Sequence, residues 1–392
     1  MGTPFYAYDL DAFRDRIRAF ETELGDTPHL TCYAVKANDA LAILEFVAAE
    51  DLGADVVSGG ELAKASKAGI APTKIAFSGV GKREDEIRAA VELGIRSLNV
   101  ETIEELDEIA AAARALRTTA PVSVRLNPDV EGGGHEYLAT GAAASKFGLD
   151  RDQAAEALRR AAADDALEPV GISFHVGSQL LDAEPVLTAA ERAADLWRDL
   201  AQAGIPLRDF DAGGGLGIPY DGGSAPDLRA YTRALADIAT ELDATLVLEP
   251  GRYLVGPVGT FVTRVLRVKK AGGKTIVVCD GGMNDLLRPV LYGAEHPVAL
   301  VGQDPRNERE HAQVDLVGPL CESSDFLALA RELPLPRRGD LIAISLAGAY
   351  GRVMSSTYNA RPLCAEVVLE QGAWRISRER GTYDDLVRNE RA

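Results

Sequence analysis

Six short apolar runs in this chain end in residues able to do chemistry. LTCYAVKA (30–37) reaches Lys36, ADVVS (54–58) carries Asp55 and Ser58, and PVSVRLN (121–127) carries Arg125. VGISFHVGS (170–178) delivers His175 and Ser178, DFDAGGG (209–215) opens the run Gly213-Gly214-Gly215-Leu216-Gly217, and TLVLEPG (245–251) leads into Glu249-Pro250-Gly251-Arg252. An ammonium is costly to bury, so strand interiors seldom finish on a lysine. Read together, an amine, an imidazole, a carboxylate and glycine amides describe a site for pyridoxal phosphate. The aldehyde needs a free amine, which a partly desolvated Lys36 supplies. Glycine N–H groups approach a phosphate closely. Glu249 would keep the pyridine nitrogen protonated, and His175 would stack on the ring face. Singly, each has a plainer reading: a lysine surfacing from a strand, a structural histidine, a glycine turn, a Glu249–Arg252 pair. Only a scaffold that gathers them at one end separates the two readings.

The elements around them supply such a scaffold. Eight β-rich runs alternate with Ala/Glu/Arg-rich helical stretches up to about residue 250; KIAFSG (74–79) and SLNV (97–100) complete the set. Thr102 and Glu105 have capping-box spacing ahead of an Ala-rich helix, and Gly69 and Gly94 stand where helices should stop. Eight alternations match a parallel (β/α)8 barrel of the TIM type, whose sites lie at the C-terminal ends of the strands. Strand count alone leaves a doubly wound open sheet as the alternative. After Pro257 the texture changes to β runs with turns and little helix, such as GTFVTRVLRVKKAGGKTIVVC and AEVVLEQGAWRIS. This predicts a second, antiparallel β-sandwich domain over 256–392, joined by a strand from FYAYD (5–9), with the barrel over 10–255. The glycine-rich loop 131–146 reads equally as a cover for the site and as a plain excursion.

Composition narrows the class. With 60 acidic against 42 basic residues the net charge is −18, which argues against nucleic acid or an anionic membrane as partner. Cys32, Cys279, Cys321 and Cys364 show no metal-binding pair such as C-x-x-C and are too sparse for a disulfide scaffold. The N-terminal MGTPFYAYDLDAF reads as neither signal nor transit peptide, and no apolar stretch is long enough to span a membrane. A cytoplasmic enzyme with reduced thiols is the expectation, with no metal.

The ordered series GTPFYAYD, YAVKAN, GADVVSGGEL, VRLNP, HEYLATG, SKFG, FHVGSQ, GGGLG, EPGRYLV, DGGMNDLLRPVLYGAEH, VGPLCESSD and AGAYGRVMSSTYNARP runs over nearly the whole chain. It resembles the fold-type III pyridoxal phosphate decarboxylases, the family acting on ornithine, diaminopimelate and arginine. The resemblance implies a (β/α)8 barrel with a β-sandwich domain. It makes Lys36 the lysine that holds the cofactor covalently, His175 the ring-stacking histidine and Glu249 the partner of the ring nitrogen. Ser178, Gly213, Gly214, Gly215, Gly251, Arg252 and Tyr350 fall on phosphate-site positions, and Asp55 and Glu61 on supporting acidic ones. Cys321 and Glu322 of CESSD would enter the site of the other subunit of a homodimer, leaving a monomer inactive.

The same resemblance bears on the substrate. A distal carboxylate calls for arginine, and Arg252, Arg288 and Tyr292 match positions that hold one, with Glu322 on the distal amine and Tyr350 nearby. Arg288 as a surface charge beside Asp285 and Pro289 is the alternative. A free cysteine is most often a small buried residue, but Cys321 beside Glu322 and Asp325 is not in a core-like setting, which favours proton delivery to the α carbon. The implied reaction converts meso-2,6-diaminopimelate to L-lysine and CO2, the last step of lysine synthesis. A decarboxylase of a related amino acid in specialised metabolism is the second reading. A non-catalytic carrier is disfavoured by the joint presence of Lys36 and Cys321.

Overall fold

The computed structural model describes residues 2–130, 146–302 and 309–391; all of loop 131–146 except Lys146 lies outside them. The chain divides into two compact units. One comprises Asp15–Ile218 and Ala225–Tyr253; the other comprises the residues up to Arg14, Pro219–Ser224 and the chain from Leu254 onward.

The first unit is a closed barrel of eight parallel strands: His29–Ala34, Gly53–Val56, Ile75–Phe77, Ser97–Val100, Ala120–Arg125, Leu167–Ser173, Asp209–Asp211 and Thr245–Leu248. Closure is made by the last strand pairing with the first, His29 opposite Leu246 and Thr31 opposite Leu248. This excludes the open sheet. The strands are short, two of them three residues long, because a barrel strand needs only to cross the packed interior. Phe210 shows how the wall is made: it faces outward to meet Trp197 of the helix Glu184–Gln202 edge-on, with ring centroids 6.0 Å apart. Alternation along a strand then turns Asp209 and Asp211 inward.

Helix ends follow local chemistry. Thr102 caps the helix Ile103–Leu116 by accepting from the Glu105 amide, while the Glu105 carboxylate reaches back to the Glu101 amide. Gly94 ends the helix Glu84–Leu93 at φ +68°, a left-handed value that glycine adopts without strain.

The second unit is built on one nine-stranded sheet. Its long strand Gly259–Ala271 pairs antiparallel with Phe5–Asp9, with Leu341–Ile344 and, through a Gly272-Gly273 hairpin turn, with Lys274–Cys279. Most pairings are antiparallel, and two are parallel: Phe5–Asp9 with Ala365–Glu370, and Lys274–Cys279 with His311–Val317. The FYAYD strand therefore sits inside the sheet rather than on its edge, with Tyr6 and Tyr8 fully buried.

Candidate active site

In the barrel unit the chemistry-bearing residues lie at or just beyond the C-terminal ends of the strands. The strand bearing Lys36 ends at Ala34, and Lys36 occupies a single 3-10 turn, Val35–Ala37. From that turn its Nζ donates to Asp55 Oδ2 at 3.0 Å. Asp55 is fully buried, and its other oxygen, Oδ1, meets no hydrogen-bond partner. Gly251 explains how the last strand end reaches the first: a Cβ there would stand 2.9 Å from the Cβ of Ala37 and 3.0 Å from that of Ala34. The Glu-Pro-Gly turn thus presses on the segment that carries Lys36.

His175 and the glycine run are fitted to each other. The Gly214 amide donates to His175 Nδ1 at 3.2 Å, which leaves the ring hydrogen on Nε2. Burial, together with the positive charges of Lys36 and Arg125, holds the imidazole well below its usual pKa, so it is neutral at pH 7. Gly213 and Gly215 have φ +64° and +101°. A Cβ on Gly213, Gly214 or Gly215 would come within 2.4, 2.1 and 2.3 Å of the carbonyl oxygens of Phe174, Glu249 and Gly177 respectively. All three glycines are therefore required by backbone packing as well as by any ligand. Ser178 accepts a hydrogen bond from Arg252 Nη2 at 3.0 Å, and Arg252 is 6% exposed.

Glu249 is buried, and its Oε1 has no hydrogen-bond partner. Its carboxyl is pushed up by burial and by the neighbouring carboxylates Asp211 and Asp55, with Lys36 and Arg125 opposing. Behind it, Asp211 is pushed up to about 7, chiefly by burial. Glu61 accepts from the Val57 amide at 2.8 Å and is likewise raised to about 7 by burial. Two of these acceptors, Glu249 Oε1 and Asp55 Oδ1, have the character of sites completed by an added group. A protonated pyridine nitrogen would satisfy the first, so the residues present fit pyridoxal phosphate.

The β unit carries the remaining candidates. Arg288 is 4% exposed, which excludes the surface-charge reading. It stacks over the Tyr220 ring at 4.3 Å, and its Nη1 lies 2.9 Å from His296 Nε2. Tyr292 closes the same short helix, Arg288–Tyr292. Cys321 and Glu322 are exposed on a loop that Asp325 shapes. The buried Asp325 carboxylate accepts from the amides of Met283 and Leu320, both at 2.7 Å. Cys321 itself is exposed and is tethered by its amide to Asn359 Oδ1 at 2.8 Å. Tyr350 is half-buried with φ +55°.

Two residues behind the predicted set are added by the fold. Glu101 accepts from Arg125 Nη1 at 2.7 Å and from the amides of Gly79 and Gly148, and Arg125 lies over the Phe147 ring at 4.6 Å. Asp211 was visible only as part of a strand. The signal available for it was the alternation Asp209-Phe210-Asp211, polar where a barrel interior should be.

Residues 10–256 match the family model described as pyridoxal-dependent decarboxylase, pyridoxal binding domain. The chain belongs to the pyridoxal-dependent decarboxylases; its cofactor is pyridoxal phosphate and its reaction class decarboxylation. Within that family its relatives are diaminopimelate decarboxylases. That of Neisseria meningitidis serogroup A is 43% identical over 391 residues, covering 100% of this chain and 95% of the relative. The crystal structure of the Helicobacter pylori enzyme complexed with L-lysine is 42% identical with a TM-score of 0.96, covering 100% and 97% of the two chains. That of the M. jannaschii enzyme, also with L-lysine, is 35% identical with a TM-score of 0.93, covering 100% and 93%.

Proposed function

We infer that the chain decarboxylates meso-2,6-diaminopimelate to L-lysine and CO2, the final step of lysine synthesis. The observation that carries the reading is Lys36 held by a buried Asp55, on a barrel that also presents a buried Glu249 whose Oε1 meets no hydrogen-bond partner. Pyridoxal phosphate, when bound, supplies a ring that accepts the electron pair left behind by departing CO2. Lys36 provides the amine that carries it, and Asp55 orients that amine. Glu249 holds the ring-nitrogen proton. Neutral His175 offers an uncharged face for stacking. Ser178, Gly213 to Gly215, Gly251, Arg252 and Tyr350 are assigned to the phosphate.

Substrate roles follow from charge. Arg288, Arg252 and Tyr292 are assigned to the distal carboxylate, because guanidinium pairs with carboxylate in a planar, two-bond geometry. Glu322 is assigned to the distal ammonium, and Cys321 delivers a proton to the α carbon. Both act in the partner subunit's site of a homodimer; the exposure of the Cys321 thiol supports this, since a thiol serving only packing would be buried. The four cysteines are free, in keeping with a cytoplasmic enzyme.

Borohydride reduction of the holoenzyme followed by peptide mass mapping should label Lys36. Lysine should form from diaminopimelate and not from ornithine or arginine. A label on another lysine, or no lysine from diaminopimelate, overturns the reading.

A further inference from the structure

Arg288 is held in the β unit by two neighbours to which the proposed chemistry gives no part, His296 and Tyr220. The chain turns back after the short helix Arg288–Tyr292, where Gly293 ends it at φ +60°. Eight residues beyond Arg288, His296 comes to lie against it and is only 3% exposed. The two ring nitrogens face different groups. Nδ1 is 3.0 Å from the Ser345 carbonyl oxygen, and Nε2 is 2.9 Å from Arg288 Nη1. A carbonyl oxygen only accepts and a guanidinium only donates, so one neutral tautomer meets both conditions. It carries its hydrogen on Nδ1 and turns the lone pair of Nε2 toward Arg288. Strand pairing fixes the other end of this chain of bonds. Val298–Leu300 pairs antiparallel with Leu341–Ile344, and the Ser345 amide donates to the Pro297 carbonyl at 2.9 Å. The carbonyl that orients the imidazole therefore sits on paired backbone.

Tyr220 completes the arrangement. The Arg288 guanidinium lies 4.3 Å over its ring, and that ring meets His296 edge-on, with centroids 5.1 Å apart and planes at 74°. The planar group is thus held on one face by stacking and along one edge by a nitrogen acceptor. Neither contact brings a negative charge, so neither competes with an incoming carboxylate. We propose that His296 is a positioning residue for Arg288. With Tyr220 it fixes the guanidinium fork in one plane, and so sets selectivity for ligands that carry a carboxylate at the distal end. This role rests on Arg288 holding the distal carboxylate. It adds the residue that orders the fork before the ligand arrives, which spares the ordering cost only for ligands able to pair with it.

L-lysine retains that carboxylate and 1,5-diaminopentane lacks it. Titrating the intact holoenzyme with each, followed by cofactor absorbance, separates positioning from general damage. His296→Phe keeps a buried ring but has no acceptor. Its affinity for L-lysine should fall about 10- to 100-fold, the usual worth of a hydrogen bond to a charged group, with 1,5-diaminopentane bound as by wild type. KM for diaminopimelate should rise by a similar factor while kcat holds. His296→Gln offers a carbonyl oxygen to Arg288 and should recover L-lysine binding. If the histidine variants do not fold, Tyr220→Leu should show the same selective loss of L-lysine. A His296→Phe enzyme that binds L-lysine as wild type does overturns the proposal, as does a loss that strikes both ligands alike. A His296→Gln enzyme no better than His296→Phe overturns it too, and Tyr220→Leu is read by the first two of these outcomes. Failure of the Arg288 role itself shows separately, as an Arg288→Lys holoenzyme whose affinity for L-lysine matches wild type.

Discussion

Gly214→Ala tests the site's architecture with the least chemistry. The new Cβ would stand 2.1 Å from the Glu249 carbonyl oxygen, and the obstacle is backbone, so no side-chain rotation relieves it. Gly214 is not in the left-handed region, so the cost is steric. The contact must open by roughly 1 Å, which in a close-packed interior costs about 1–3 kcal/mol. The same movement stretches the Glu249 amide bond to the Gly213 carbonyl, now 2.7 Å, for about 1 kcal/mol more. A total of about 2–4 kcal/mol corresponds to a fall of about 4–16 °C in the barrel's melting midpoint. Displacing Glu249 by such a distance should also lower turnover on the order of 10²-fold. Gly81→Ala is the control, because nothing lies within 4 Å of the added Cβ. The assays are differential scanning calorimetry, titration with pyridoxal phosphate followed by absorbance, and lysine release. A Gly214→Ala enzyme melting within about 1 °C of wild type, with unchanged affinity and turnover, would show that the glycine run is not pressed against the strand end.

Cys321→Ala should retain cofactor absorbance while turnover drops about 10²- to 10⁴-fold, the usual worth of a positioned proton donor; unchanged lysine release would remove the thiol from the reaction. Arg288→Lys keeps the charge but loses the planar fork stacked 4.3 Å over Tyr220, so kcat/KM for diaminopimelate should fall about 10- to 100-fold, mainly through KM. A wild-type KM there would reassign the distal carboxylate. Glu61 gives a pH dependence of stability. Its folded pKa of about 7 lies above the ordinary 4.5, so the folded state binds the extra proton and stability declines as pH rises from about 4.5 to about 7. Glu61→Gln removes that decline, and chemical denaturation should find the variant gaining about 1–2 kcal/mol on wild type between pH 5 and about 8, after discounting for partial exposure. No gain, or a gain on the acid side, would contradict the burial assigned to Glu61.

Much of the fold was legible because local patterns carry it. Strand–helix alternation marks a barrel unit whatever the partners, and even the three-residue strand Ile75–Phe77 stands out between a 3-10 turn and a glycine. The two parallel pairings in the β unit were not legible, because period-two alternation is the same in parallel and antiparallel strands. Phe5–Asp9 meets Ala365–Glu370 across most of the chain's length, and nothing local announces such a partner.

The candidate site divides along the same line. Lys36, His175, Glu249 and the glycine run could be picked out because their residue types are unusual at strand ends and carry their chemistry wherever they are placed. Arg288 and Asp211 could not be judged that way. A charged side chain looks the same in sequence whether it faces solvent or a packed interior, and burial is decided by which strands and helices close around it. Residue order by itself determined the chemical inventory and the repeating scaffold. Closure of the barrel and the sheet decided which charges are desolvated and which are paired. Those two facts come from long-range packing, and they set the protonation states on which the chemistry depends.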